Sequence, residues 1–330
     1  MQTIIEAINK YNKFLITAHI NLEGDSLGSQ LAAKQLLDSL GKTSVIVDSD
    51  PVPEHYKFLP MAGEISNSTD KNLDFEAALI LDCPTIKRIG RVRDLITKDK
   101  FVINIDHHIS NEKFGNVNWV EPNASSAGEM VYKLFKEMDV VLTKETALAL
   151  YIAILTDTGS FNYDNTSGIT HEIAGELLGY GLDPARVSED VYERKTVGDI
   201  KFLGLVLSTL KLNKSHEIAY LEVTRSMMDQ TGAQAAKAEG FVNYARSVDN
   251  VKVAVIFREE TGGKINVSFR SKGKVDVNKI ASAFGGGGHV KASGCVIEGT
   301  LAEAERKVLD KVEETLKIVI PEKRVKMPDF

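Results

Sequence analysis

Short apolar runs alternate with stretches of helical spacing along the first half of the chain. FLITAH (14–19), SVIVD (44–48), AALILD (77–82) and FVINID (101–106) are apolar at nearly every position, and each runs into polar residues. Strands apolar on both faces are covered on both faces, which predicts a parallel sheet flanked by helices. After the first run, Leu27, Leu31, Leu36, Leu37 and Leu40 fall near helical spacing, and Gly41 ends the stretch. The same patterning predicts helices around 126–138, 144–155 and 170–180. The segment GLDPARVSEDVYERK (181–195) reads as a polar hinge, because Pro184 discourages continuation of the preceding helix.

Beyond residue 196 the pattern changes. A helix near 197–210 leads into EIAYLEV (217–223), and VKVAVIF (251–257) and KINVSF (264–269) form β runs joined through a TGG turn. A helix over 276–284, the run GGGGH (285–289), the strand GCVIEG and a charged helix over 301–318 follow. Strands with short connections predict a mixed-sheet α+β unit. The expected organisation is therefore an N-terminal α/β domain over 1–185, a linker over 186–199 and a smaller C-terminal α+β domain over 200–330. There is no internal repeat and no low-complexity tract.

Composition narrows the classes. The chain has 330 residues, 43% apolar and 26% charged, which suits two ordinary globular domains. A net charge of −6 argues against a protein that grips long duplex nucleic acid, which calls for a basic face. It leaves room for a small phosphate-bearing substrate if metal ions supply positive charge locally. Two cysteines, Cys83 and Cys295, exclude a disulfide framework and a Cys-rich zinc site. No signal-like segment and no apolar run of about 18 residues is present. The expected location is the cytoplasm.

Five constellations carry candidate chemistry. His19, Glu23 and Asp25 follow the first strand. An imidazole with hard oxygen donors suits Mn²⁺, Zn²⁺ or iron better than Ca²⁺. The bland alternative is a polar loop in which Asp25 or Ser26 caps the next helix. Asp82 ends AALILD, as a turn residue or a site residue. Asp106, His107 and His108 end FVINID; one imidazole can face a metal and the other substrate, with a carboxylate orienting a ring. Asp157 lies in TDTGS after an apolar segment, where Gly159 could equally mark a helix-ending turn. Gly285, Gly286, Gly287 and Gly288 precede His289, and their exposed N–H groups could receive a phosphate. The alternative is a flexible linker, which seldom sits inside a compact α+β unit. Arg270, ending KINVSF, is a partner cation for the same phosphate.

The combination outweighs its members. Glu23, Asp25, Asp82, Asp106 and Asp157 in one cleft would repel, and two divalent cations would offset most of their charge. A two-metal site also suits phosphoryl chemistry.

These residues resemble the DHH phosphoesterases, specifically the NrnA-type DHH–DHHA1 branch that contains nanoRNA exonucleases and pAp (3'-phosphoadenosine 5'-phosphate) phosphatases. The motif DHH stands at 106–108, GGGGH at 285–289 matches the second domain's loop, and the likeness covers nearly the whole chain. It implies a DHH domain followed by a DHHA1 domain, with the active site in the interdomain cleft. It implies that His19, Glu23 and Asp82 hold one metal and Asp25, Asp82, His107 and Asp157 the other, with Asp82 bridging. His108 would lie near the scissile phosphate, and Asp106 would stand behind the ligands as its catalytic companion. Arg270, the glycine loop and His289 would bind substrate phosphate. One departure stands out. The family's first motif reads His-x-x-Pro-Asp-x-Asp, whereas this chain has Leu22 and Glu23 at the proline and first aspartate. The longer Glu23 alters the geometry of that metal site.

The resemblance implies two divalent metal ions, with Mn²⁺ preferred. The reaction would be hydrolysis of short RNA oligonucleotides or dinucleotides such as pApA to mononucleotides, or of pAp to AMP. No membrane partner is expected, and a homodimer is compatible with the sequence. The rivals are a RecJ-like exonuclease, a family II pyrophosphatase, and a non-catalytic nucleotide-binding module on the same fold.

Overall fold

The computed structural model describes residues 1–70, 73–233, 238 and 240–319. The chain divides into two compact units, Met1–Arg194 and a second that begins at Lys195.

The first unit contains α1 (Gln2–Lys10), β1 (Lys13–Thr17), α2 (Gly24–Ser39), β2 (Thr43–Val47), β3 (Ile65–Ser66), β4 (Ala77–Leu81), β5 (Phe101–Asp106) and β6 (Val117–Val120). Helices α3 (Ala127–Glu137), α4 (Lys144–Asp157), α5 (Gly168–Leu178) and α6 (Pro184–Tyr192) follow. The stretch read as a polar hinge is thus mostly helix. Pro184 occupies the first turn, where a missing N–H costs nothing, and the Asp183 carboxylate accepts the N–H groups of Ala185 and Arg186.

The sheet order is β3-β2-β1-β4-β5-β6, and every described pairing is parallel. The chain steps outward from β1 to β3, then returns to the other side of β1 with β4. This reversal opens a crevice beyond the carboxyl ends of β1 and β4, the usual ligand position in such sheets. His19 follows β1, Asp82 follows β4, and Asp106 ends β5 with His107 and His108 directly after it, so topology alone gathers them.

The strands are apolar on both faces because both faces are covered. Phe14, Ile16, Leu79, Leu81, Ile103 and Ile105 join the core built with α1 to α5. Leu15, Ala78 and Ile80 join a second core with Ile89, Val92 and Leu95, from the 3₁₀ turns over Ile86–Leu95. Helices α2 and α4 approach closely through glycine. A Cβ at Gly28 would stand 2.2 Å from the Ala149 carbonyl oxygen, and one at Gly24 would collide with the Thr156 side chain.

The second unit contains α7 (Val197–Leu207), β7 (Lys211–Leu212), β8 (Ile218–Val223), α8 (Arg225–Thr231), α9 (Val242–Ser247), β9 (Val253–Glu260) and β10 (Lys264–Ser271). It continues with α10 (Val277–Ser282), β11 (Gly287–Gly288), β12 (Ala292–Glu298) and α11 (Leu301–Val319). Its sheet runs β11-β12-β10-β9-β8-β7 and is mixed, with β8 and β9 parallel and the other pairs antiparallel. Among the described residues, no helix is long and apolar enough to cross a membrane.

Candidate active site

The polar ends of β1, β4, β5 and α4 converge. Asp82 is the centre, 1% exposed and held at φ 50°, a left-handed conformation rare outside glycine. Its N–H donates to the Ile105 carbonyl, which fixes the turn at the sheet's end. Its two oxygens face two different imidazoles. His19 Nε2 lies 3.2 Å from Oδ2, and His107 Nε2 lies 3.6 Å from Oδ1.

The other nitrogen of each ring fixes its orientation. His19 Nδ1 is 2.6 Å from the Ile20 carbonyl oxygen, and His107 Nδ1 is 3.3 Å from that of Ala124. A carbonyl only accepts, so both Nδ1 atoms are assigned as protonated. Each neutral ring then turns an Nε2 lone pair toward carboxylate oxygens. His19 Nε2 meets Glu23 Oε1 at 3.6 Å besides Asp82. His107 Nε2 meets Asp25 Oδ2 at 3.7 Å and Asp157 Oδ2 at 3.6 Å. Lone pairs converging on carboxylates require a positive species between them, a proton or a cation. His19, Glu23 and Asp82 form one group with cation-binding spacing, and Asp25, Asp82 and His107 form another.

Proton occupancy among these side chains follows the same geometry. Burial pulls the His19 imidazole down, but Asp82 and Glu23 outweigh it and leave the ring well above its ordinary value. His107 is likewise raised, against burial, by Asp157, Asp82 and Asp25. Burial raises Asp25 well above the usual carboxylate range, with Asp82 and Asp157 adding repulsion. Burial also pushes Asp157 up to about 7. Asp82 goes the opposite way: burial opposes its charge, but His19, His107 and His108 hold it well below the ordinary range.

Asp25 does not cap its own helix. Its Oδ2 accepts the Ala127 N–H at 2.7 Å and its Oδ1 the Gly128 N–H at 2.8 Å, so it caps the positive end of α3. Ser26 takes the role at the start of α2, where its Oγ accepts the Glu23 N–H. Glu23 is half exposed at the helix start, with its carboxylate toward His19. Asp157 is the last residue of α4, and Gly159, at φ 56°, turns the chain after it. The helix-ending turn is thus present, and it leaves Asp157 Oδ2 facing His107.

His108 belongs to a different arrangement. Its Nδ1 lies 2.7 Å from Asp106 Oδ1 and 3.5 Å from Asp82 Oδ1. Asp106 is fully buried, and Asn111 donates to its Oδ2 at 2.6 Å. Asn104 and Asn111 were missed by the sequence reading. The signal was a polar Asn104 inside an otherwise apolar run, which in a buried strand demands partners. Glu129 was missed too. It accepts the Ser125 N–H and hydroxyl, and so fixes the turn leading into α3.

In the second unit, Arg270 is the next-to-last residue of β10, opposite Ala254 and Ala292. Its Nη1 donates to the Phe269 carbonyl, and its Nε is buried without a partner. The glycine run forms the turn between α10 and β12. The N–H groups of Gly285, Gly286 and His289 donate to the carbonyls of Ser282, Ala281 and Ala292, and Gly287 and Gly288 pair with β12. Glycine also permits close approach here, because a Cβ at Gly286 would lie 2.1 Å from the Gly294 carbonyl oxygen.

Comparison with known proteins agrees with this architecture. Residues 13–154 match the model of the DHH family, N-terminal domain, and residues 216–318 match that of the DHHA1 domain. The bifunctional oligoribonuclease and PAP phosphatase NrnA of Thermus thermophilus is 35% identical over 91% of this chain and 89% of its own length. The protein of the same name from Bacillus subtilis is 29% identical over 93% of this chain and 96% of its own. The crystal structure of an exopolyphosphatase-related protein from Bacteroides fragilis superposes with a TM-score of 0.88 at 30% identity, covering 97% of this chain and 98% of that one. With a parallel sheet whose ends converge on Asp82, a mixed-sheet second unit and a relative 35% identical over 91% of the present sequence, this chain belongs to the DHH family in its DHH–DHHA1 form.

Proposed function

We propose that the protein is a cytoplasmic, metal-dependent phosphoesterase that hydrolyses short oligoribonucleotides to mononucleotides and pAp to AMP. The observation that carries the reading is the sharing of Asp82 between two imidazole–carboxylate groups whose lone pairs face one another. His19, Glu23 and Asp82 would hold one divalent cation. Asp25, Asp82, His107 and Asp157 would hold the second. Imidazole with hard oxygen donors fits Mn²⁺. When bound, such a pair screens charge on the phosphoryl oxygens and activates the attacking water.

The chain's own residues do the rest. Asp106 fixes the His108 ring through Nδ1, so that Nε2 presents a proton to the oxygen leaving phosphorus. The P–O bond breaks as water adds, and that proton completes the alcohol product. Arg270 offers a buried, unpaired Nε to a remote substrate phosphate, with His289 as its companion. The glycines at 285–288 form the turn that carries His289 and, having no side chains, let that phosphate approach closely.

The NrnA names of the Thermus and Bacillus relatives support this substrate class. The test is a substrate panel with purified protein and Mn²⁺: a 5'-labelled dinucleotide, pApA and pAp, with products separated by chromatography. Mononucleotide from the first two, or AMP from pAp, is expected. Failure to cleave all three, with Mn²⁺ bound, removes the reading.

A further inference from the structure

Behind the His108 ring lies a buried chain of amide hydrogen bonds. Asn104 Nδ2 is fixed by two main-chain carbonyls at the end of β4, those of Ile80 and Cys83, both at 3.2 Å. This leaves Asn104 Oδ1 to accept from Asn111 Nδ2 at 2.8 Å. The same Nδ2 donates to Asp106 Oδ2 at 2.6 Å, and Asp106 Oδ1 then meets His108 Nδ1 at 2.7 Å. The Asn111 amide has one orientation only. Its nitrogen faces three oxygens, Asn104 Oδ1, Asp106 Oδ2 and the Cys83 carbonyl, while its oxygen accepts the Lys113 N–H at 2.6 Å. Turning the amide over would set oxygen against three acceptors.

We propose that Asn111 is a positioning residue: by holding Asp106, it fixes the His108 ring for proton delivery to the leaving oxygen. The proposal rests on His108 acting at the reacting phosphate, as set out above. Asp106 accepts one hydrogen bond on each oxygen. Removing the Asn111 donor leaves Asp106 Oδ2, in a fully buried carboxylate, without its shortest partner. Such a carboxylate turns toward whatever donor remains, and the ring turns with it. The segment 107–113 is otherwise tied in place by main-chain bonds, Asn111 N to His108 O and Glu112 N to Pro84 O. Loss of the amide side chain therefore leaves the loop anchored.

Leaving-group chemistry separates positioning from general damage. An alkoxide leaving from a nucleotide needs a proton, whereas p-nitrophenolate leaves without one. Wild type, Asn111→Ala, Asn111→Leu and His108→Gln are compared, each loaded with Mn²⁺, on pAp and on bis-p-nitrophenyl phosphate. Asn111→Leu keeps the branched shape of the side chain but cannot donate. Thermal melting and bound Mn²⁺ are measured for each, so that a variant that does not fold is set aside in favour of the other. Both Asn111 variants are expected to lose about tenfold in kcat on pAp with KM little changed, the size expected for one hydrogen bond to a charged group. On the p-nitrophenyl ester they should stay within about twofold of wild type. His108→Gln should show the same selectivity more strongly. Parallel losses on both substrates overturn the proposal, since a structural or metal-binding defect would affect both. Unchanged Asn111 variants beside a crippled His108→Gln overturn the positioning role alone. A fully active His108→Gln overturns the role given to His108, and the inference with it.

Discussion

His19 Nε2 and Asp82 Oδ2 stand 3.2 Å apart at the centre of the site, yet Oδ2 accepts no hydrogen bond of good geometry. The two atoms are near enough to share a positive charge and are not aligned to share a proton well. Asp82 Oδ1 stands in a similar relation to His107, at 3.6 Å. One carboxylate therefore serves two sets of donors. Asp82→Asn keeps its shape and removes its charge, and it is expected to weaken both cation sites together. Turnover should fall by more than about a hundredfold. Calorimetric titration with Mn²⁺ checks this, and retention of one unaffected tight site would contradict the sharing.

Protons and cations compete for the same positions. In the folded chain Asp25, Asp157, His19 and His107 all bind protons more tightly than in the unfolded chain. The metal-stripped protein therefore holds more protons than its unfolded state at pH between about 4 and 7, and its stability falls as pH rises through that window. The two imidazoles extend the decline upward, because their folded values exceed about 6.5. Asp82 contributes in the other sense, but only as pH falls below about 4. Melting of stripped protein at about pH 5.5 and about pH 8 should show the lower Tm at the higher pH. Stabilisation by added Mn²⁺ should grow over the same range, since binding displaces those protons. A stripped Tm that rises with pH would contradict these proton positions.

Glu23 occupies the place of an aspartate, half exposed at the start of α2. If its carboxylate completes the His19 group, Glu23→Asp should remain active and Glu23→Gln should bind the first cation roughly tenfold more weakly. Equal Mn²⁺ affinity of wild type and Glu23→Gln would take Glu23 out of the ligand set.

The approach of α2 to α4 sets the distance between Asp25 and Asp157. A methyl group at Gly28 has no room beside the Ala149 carbonyl. Gly28→Ala should cost about 1–3 kcal/mol of stability, as overpacking typically does, and should lower Mn²⁺ affinity as Asp25 shifts. Denaturant unfolding with and without Mn²⁺ separates the two effects. An unchanged midpoint would mean that the helices can part freely.

Much of this was legible in the sequence, for identifiable reasons. Strands apolar on both faces announced a parallel sheet, and the polar residue ending each run marked the crevice. The carboxylates and histidines gather because strand ends gather. The amide network was hidden, because Asn104 and Asn111 reveal their partners only when β4 and β5 lie side by side. Asp25 was weighed as a cap for its own helix, and it caps a helix a hundred residues away, a pairing that sequence spacing cannot express. The glycine run was read as a loop that lets phosphate approach closely; its pairing as β11 with β12 is a register that spacing alone does not express.

One titration tests the shared Asp82 site most directly. Metal-stripped protein is titrated with Mn²⁺ while bound ions and hydrolysis of a 5'-labelled dinucleotide are followed in the same samples. The expected result is no turnover in the stripped protein, two ions bound per chain at saturation, and activity that rises with the second. Turnover that persists in excess chelator, or saturation at a single ion with full activity, would contradict a two-cation site built around Asp82.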